Sequence, residues 1–255
     1  MAGRGRSLLV CIAAAAGQAS ALVAAPQLRV LCAGALRGRC SVVSSEDAAP
    51  QLRVLCYGDS LTAGTSPPLD TLHPYALALE SAIGPSVLVR HRGLPGATAA
   101  AMLQCADDEQ RGLRSLLRKS SPSLAIILAG TNDLGYHSES APIVDALRGL
   151  HEQCHALNVP TLAVGIPPSA YQAMQSEAAE LANLINRELR AWCEGCEAAE
   201  AGLCSFVDPP ISSWSSGDKR WAPDGLHLSP AGYAAVGEGL AGVVAERLQL
   251  GSSGR

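Results

Sequence analysis

From residue 52 onward, short apolar runs alternate with segments whose apolar residues recur every three or four positions. Residues 52–57, 86–92, 124–128, 161–166 and 203–207 read as strands. Leu124-Ala125-Ile126-Ile127-Leu128 is apolar throughout, as expected of a strand buried on both faces. Between the runs, Ile143, Leu147, Leu150, Cys154 and Leu157 form one helical stripe, and Leu181, Leu184, Ile185, Leu189 and Trp192 form another. Pro74 suits the first position of a helix, and Ser229-Pro230 reads as an N-cap followed by proline at that position. Tyr233, Val236, Leu240, Val243 and Leu248 make the buried stripe behind it. Regular strand–helix alternation predicts an α/β fold: a three-layer sandwich with a central five-stranded parallel sheet and helices on both faces.

Every segment with chemical potential follows one of these strands. Gly58-Asp59-Ser60-Leu61 follows the first, Gly93-Leu94-Pro95-Gly96 the second, and Gly130-Thr131-Asn132-Asp133 the third. Asp224-Gly225-Leu226-His227 stands in the loop after the fifth. All therefore fall at the carboxyl edge of the sheet, where open α/β sheets bind ligands.

Ser60 is the candidate nucleophile, and a serine hydroxyl is weak until a neighbouring base takes its proton. His227 is suited to that role at physiological pH. Asp224, three residues earlier, can fold back to the other ring nitrogen and fix the tautomer. Singly, each residue has a plainer reading: a capping serine, a Pro-Asp-Gly turn at Pro223 to Gly225, a surface histidine. Together they spell a nucleophilic triad. Candidate donors to a developing oxyanion are the backbone N–H of Ser60, the backbone N–H of Gly96 and the side-chain amide of Asn132. Asp59 and Asp133 read as loop-orienting carboxylates.

The four segments resemble the SGNH hydrolase family, also called GDSL esterases and lipases. The family's blocks look like Tyr57 to Gly64, Arg92 to Thr98, Ala129 to Asp133, and Asp224 to His227, in the family's order and over residues 50 to 250. The resemblance implies the flavodoxin-like strand order, a serine hydrolase acting on an ester, and the choice of Gly96 rather than Gly93 as oxyanion donor. Acyl transfer to an alcohol uses the same site. A non-catalytic carbohydrate- or lipid-binding domain is the alternative from another class.

The net charge of −4 and a pI near 5.9 give no basic patch for nucleic acid. The first 45 residues hold five Arg and no Asp or Glu. Arg4 and Arg6 precede an apolar run from Ser7 to Ala16, and Ala19-Ser20-Ala21 offers a small-residue cleavage site. Residues 1–21 read as a secretory signal peptide, or alternatively as an organellar transit peptide, and the run is too short for a stable membrane span. Residues 22–50 read as a linker that carries a duplicate of the first strand: residues 24–32 recur as residues 48–56. Only the second copy leads into Ser60. Residues 51–250 are read as the hydrolase domain, acting as a monomer on a small-molecule ester with no metal or organic cofactor.

Two further patterns stand apart from this chemistry. Of nine cysteines, Cys193-x-x-Cys196 followed by Cys204 fits a disulfide, half a zinc site, or plain core cysteines. His151-Glu152-Gln153-Cys154-His155 matches the H-E-x-x-H zinc motif. Glu152 points away from the stripe through Leu147, Leu150 and Cys154, and no third ligand stands nearby, so this reads as the polar flank of a covering helix. His137 follows the Asn132 loop and is placed to line a pocket. Trp214 and Trp221 flank the Asp224 loop, either as substrate contacts or as packing.

Overall fold

A computed structural model describes residues 52–250. The leader, the first copy of the repeated strand, and Cys11, Cys32 and Cys40 lie outside the described residues.

The strands are β1 (Leu52–Gly58), β2 (Val87–Gly93), β3 (Leu124–Leu128), β4 (Thr161–Val164) and β5 (Cys204–Val207). They pair in parallel in the order β2-β1-β3-β4-β5, the flavodoxin-like order. The helices are α1 (Ser60–Ala63), α2 (Tyr75–Ile83), α3 (Ala99–Gln104), α4 (Leu113–Ser120), α5 (Ala141–His155), α6 (Ala170–Met174), α7 (Ser176–Gly195), α8 (Glu197–Glu200) and α9 (Pro230–Arg247).

Side-chain alternation on the strands divides the core in two. Leu124, Ile126 and Leu128 of β3 join Val54, Cys56, Leu162 and Val164 on one face, against Tyr75 and Leu79 of α2 and Tyr233, Val236 and Leu240 of α9. Ala125 and Ile127 join Leu55, Tyr57 and Ala163 on the other face, against α3, α4, α5 and α7. All five residues of β3 are buried, as its unbroken apolar run requires.

Local differences from the sequence reading have simple causes. Pro74 is the N-cap of α2 rather than its first helical residue, with ψ at 133°. β4 ends at Val164: the Gly165 N–H still donates to the Val207 carbonyl of β5 at 3.0 Å, but the Ile166 N–H goes to the Asn186 side chain. In α9 the buried residue is Val244, with Val243 half-buried at the rim. Leu157 lies beyond the end of α5 and is exposed, whereas His151 within the helix is fully buried instead of forming a polar flank. His151 stands four residues after Leu147 and three before Cys154, so it shares the face they bury.

Candidate active site

Ser60 opens α1 directly beyond β1. The Asp59 carboxylate caps that short helix by accepting from the Leu61 N–H at 2.9 Å. On the neighbouring strand, a Cβ on Gly93 would lie 2.1 Å from the Ala63 backbone nitrogen. Gly93 is therefore what lets β2 and α1 approach, and its glycine is explained by packing.

His227 comes from the loop before α9. Its Nε2 lies 2.9 Å from Ser60 Oγ, and its Nδ1 lies 2.6 Å from Asp224 Oδ2. The second carboxylate oxygen, Oδ1, accepts from the backbone N–H groups of Leu226 and His227, each at 3.0 Å. Partial burial works against the Asp224 carboxylate. The hydrogen bonds from the His227 ring, the His227 N–H and the Leu226 N–H outweigh it and hold the carboxyl below its ordinary value. Asp224 is thus ionised at neutral pH, and it favours the tautomer with the proton on Nδ1. That leaves Nε2 as the acceptor facing Ser60.

The other two sequence-derived residues border the same edge. Gly96 has φ +78°, a left-handed conformation that suits glycine, and open space where a side chain would project. Asn132 begins the turn after β3. Its side-chain amide donates to the Ala97 carbonyl at 3.0 Å, which spends one of its two hydrogens and leaves the other. Asp133 accepts the Ala99 N–H on both carboxylate oxygens, at 3.2 and 3.0 Å. The turn after β3 is therefore tied twice to the segment that follows Gly96. The Ala97 carbonyl was not legible in the sequence, since a backbone acceptor leaves no residue-type signal.

Around the site, Tyr233 of α9 donates from its hydroxyl to the Thr65 carbonyl at 2.6 Å and pins the loop after α1. Trp221 is buried and bridges to Leu228, and Trp214 packs beside Gly225; both hold down the loop that carries Asp224. His137 lines a broad groove with Tyr136, Tyr171, Asn183 and Arg187, adjoining the turn that starts at Asn132. Asp59 is fully buried, and burial pushes its carboxyl up to about 7.

The sequence profile of the GDSL-like lipase/acylhydrolase family matches residues 56–235, and the chain belongs to that family. Among solved structures it is similar to an aryl esterase from M. smegmatis at 23% identity, covering 76% of this chain and 99% of that one with a TM-score of 0.57. It is also similar to a lipase/acylhydrolase from Enterococcus faecalis at 21% identity, covering 77% and 96% with a TM-score of 0.56. The esterase EstA from Pseudoalteromonas sp., in a structure inhibited by monoethylphosphonate, matches at 16% identity, covering 77% and 98% with a TM-score of 0.56. No curated protein sequence matches the chain. Among the described residues, no helix is long and apolar enough to cross a membrane.

Proposed function

We propose that the chain is a serine esterase that cleaves a small carboxylic ester through an acyl-enzyme on Ser60. The observation that carries this reading is the continuous hydrogen-bonded line Ser60 Oγ–His227 Nε2, His227 Nδ1–Asp224 Oδ2, at 2.9 and 2.6 Å. Ser60 Oγ attacks the ester carbonyl while His227 Nε2 takes its proton. The carbonyl oxygen gains charge, and the N–H groups of Ser60 and Gly96 and the free hydrogen of the Asn132 amide receive it. His227 then protonates the departing alcohol. In the second half, water attacks the acyl group, again with His227 as base, and Ser60 is released. Asp224 stays ionised throughout and keeps the ring oriented.

The enzyme is proposed to act as a monomer, in the secretory pathway or an organelle, after removal of the leader. A fluorophosphonate probe tests the central claim. Covalent labelling of wild type, lost in Ser60→Ala, is the expected result. Absence of labelling in native wild-type protein would leave a binding domain as the better description. A panel of p-nitrophenyl esters of increasing chain length then identifies the acyl group.

A further inference from the structure

Both patterns left aside by the ester chemistry, H-E-x-x-H and two of the three late cysteines, meet at the opposite edge of the sheet from Ser60. His151 and His155 lie in the last turns of α5, Cys193 near the end of α7, and Cys204 at the first position of β5. These are the places where helices return to the amino ends of the strands. One donor atom from each of His151, His155 and Cys204 lies within 4.8 Å of the others. The third partner that the histidine pair lacks in the sequence is therefore supplied from 49 residues further on, a correction to the sequence reading.

His151 makes the cluster more than a coincidence of packing. It is completely buried, and neither ring nitrogen has a hydrogen-bond partner among the described residues. A buried imidazole ordinarily satisfies both nitrogens. Thr161 Oγ1 lies 2.9 Å from His155 Nε2 and donates to Cys204 Sγ at 3.8 Å, so one hydroxyl positions both residues. Cys193 lies outside that 4.8 Å group but is buried beside Cys204, near the end of α7. Trp192 roofs the cluster, its ring centroid 5.7 Å from that of His151 and 6.0 Å from that of His155.

We propose that His151, His155 and Cys204, with Cys193 as the fourth donor, bind one zinc ion in a closed structural site. Two imidazoles and two thiolates are the donor set of tetrahedral zinc, and no carboxylate competes to favour a hard cation. Donors around tetrahedral zinc sit about 3.3–3.8 Å apart, so His151, His155 and Cys204 need to contract by roughly an ångström and Cys193, outside that group, must move in further. The cysteines bind as thiolates, any thiol proton they carry passing to solvent, and both imidazoles bind neutral. Glu152, the general base of a zinc protease, is exposed on the far side of α5, so the ion has no catalytic partner here. Its effect is to join the ends of α5 and α7 to the edge strand β5.

The test uses the full chain, purified under reducing conditions, stripped with chelator and reloaded with zinc or cobalt(II). Expected are one zinc per chain by elemental analysis, a thiolate-to-cobalt charge-transfer band, and a Tm several degrees higher with zinc. Cys204→Ser and His155→Ala are each expected to weaken zinc binding more than about tenfold, while Glu152→Gln binds like wild type. Ester hydrolysis by stripped and loaded wild type is expected to agree within about twofold, since Ser60 lies at the other edge. Three results would overturn the site: natively folded wild type that takes up no metal, equal binding by wild type and Cys204→Ser, or a Cys193–Cys204 disulfide in unreduced protein. Because metal uptake is read independently of hydrolysis, failure here and failure of the esterase reading are separate events.

Discussion

His227 Nε2 meets Ser60 Oγ at 2.9 Å although the two residues are 167 positions apart in the chain. Ser60 is fixed by β1 and by the Asp59 cap, and His227 by Asp224 and by the start of α9. Each side chain is oriented before it meets the other. Removing the serine hydroxyl therefore leaves the surrounding frame in place. Ser60→Ala is expected to reduce ester hydrolysis by at least about 10³-fold with an unchanged circular dichroism spectrum. Retained activity in a natively folded variant would disprove the nucleophile.

Asn132→Ala removes both the free amide hydrogen and the bond to Ala97. The first loss is expected to lower kcat by about 10²- to 10³-fold with a smaller change in KM, because in its proposed role the amide meets charge that develops only in the transition state. The second is expected to destabilise the fold by about 1 kcal/mol. Steady-state kinetics and urea denaturation separate the two. A change confined to KM would make Asn132 a substrate-binding residue.

Much of this arrangement was legible because the residues involved announce themselves. The apolar run of β3, the turn glycines and the Ser-Pro start of α9 each admit few local structures, and the strand–helix alternation then places the loops at one edge. His151 was misread because its polarity disguised its position: the spacing from Leu147 to His151 to Cys154 is that of a buried stripe. The meeting of His151 and His155 with Cys204 depends on how α5 packs against β4 and β5. No local pattern carries that information.

The buried Asp59 carboxyl makes a pH signature. Its carboxyl is raised from 3.8 to about 7, chiefly by burial, and Oδ2 has no partner among the described residues. Below about pH 4 the group is protonated in both folded and unfolded chains. As pH rises, the unfolded chain loses its proton first, so stability falls until about pH 7 and is then level. The full effect is up to about 4 kcal/mol. Asp59→Asn keeps the oxygen that accepts from Leu61 and cannot ionise. It is expected to gain stability over wild type at pH 8 and little at pH 4. Urea denaturation of both proteins at the two pH values checks this, and an equal difference at each would count against a raised Asp59 carboxyl.

Gly93 and Gly96 separate packing from conformation. Gly93→Ala drives a methyl into the Ala63 backbone and is expected to destabilise the fold by several kcal/mol or prevent folding. Gly96→Ala meets no neighbour but must hold φ near +78°, which costs about 1–2 kcal/mol. It is therefore expected to fold, melt slightly lower and lose kcat as its N–H shifts. If Gly96→Ala were the less stable of the two, the packing role given to Gly93 would be wrong.

The repeated strand poses the last question. In the sheet, β1 is the second copy, and it is hydrogen-bonded on both sides: Leu52 pairs with Val87 of β2, and Val54 pairs with Leu124 of β3. Its end leads straight into Asp59 and Ser60. The identical residues 28–32 lead instead into Ala33-Gly34-Ala35-Leu36 and have no serine to deliver. If they took the place of β1 between β2 and β3, the proposed nucleophile would be lost from the site. A chain beginning at Ala48 is therefore expected to melt within a few degrees of the longer chain and to hydrolyse the same esters at the same rate. It is also expected to aggregate less, having shed a second apolar segment able to pair with an open sheet edge. Thermal melting, light scattering and esterase assays of the two chains side by side measure this. A much lower melting temperature for the shorter chain would mean that residues 28–32 carry part of the fold's stability.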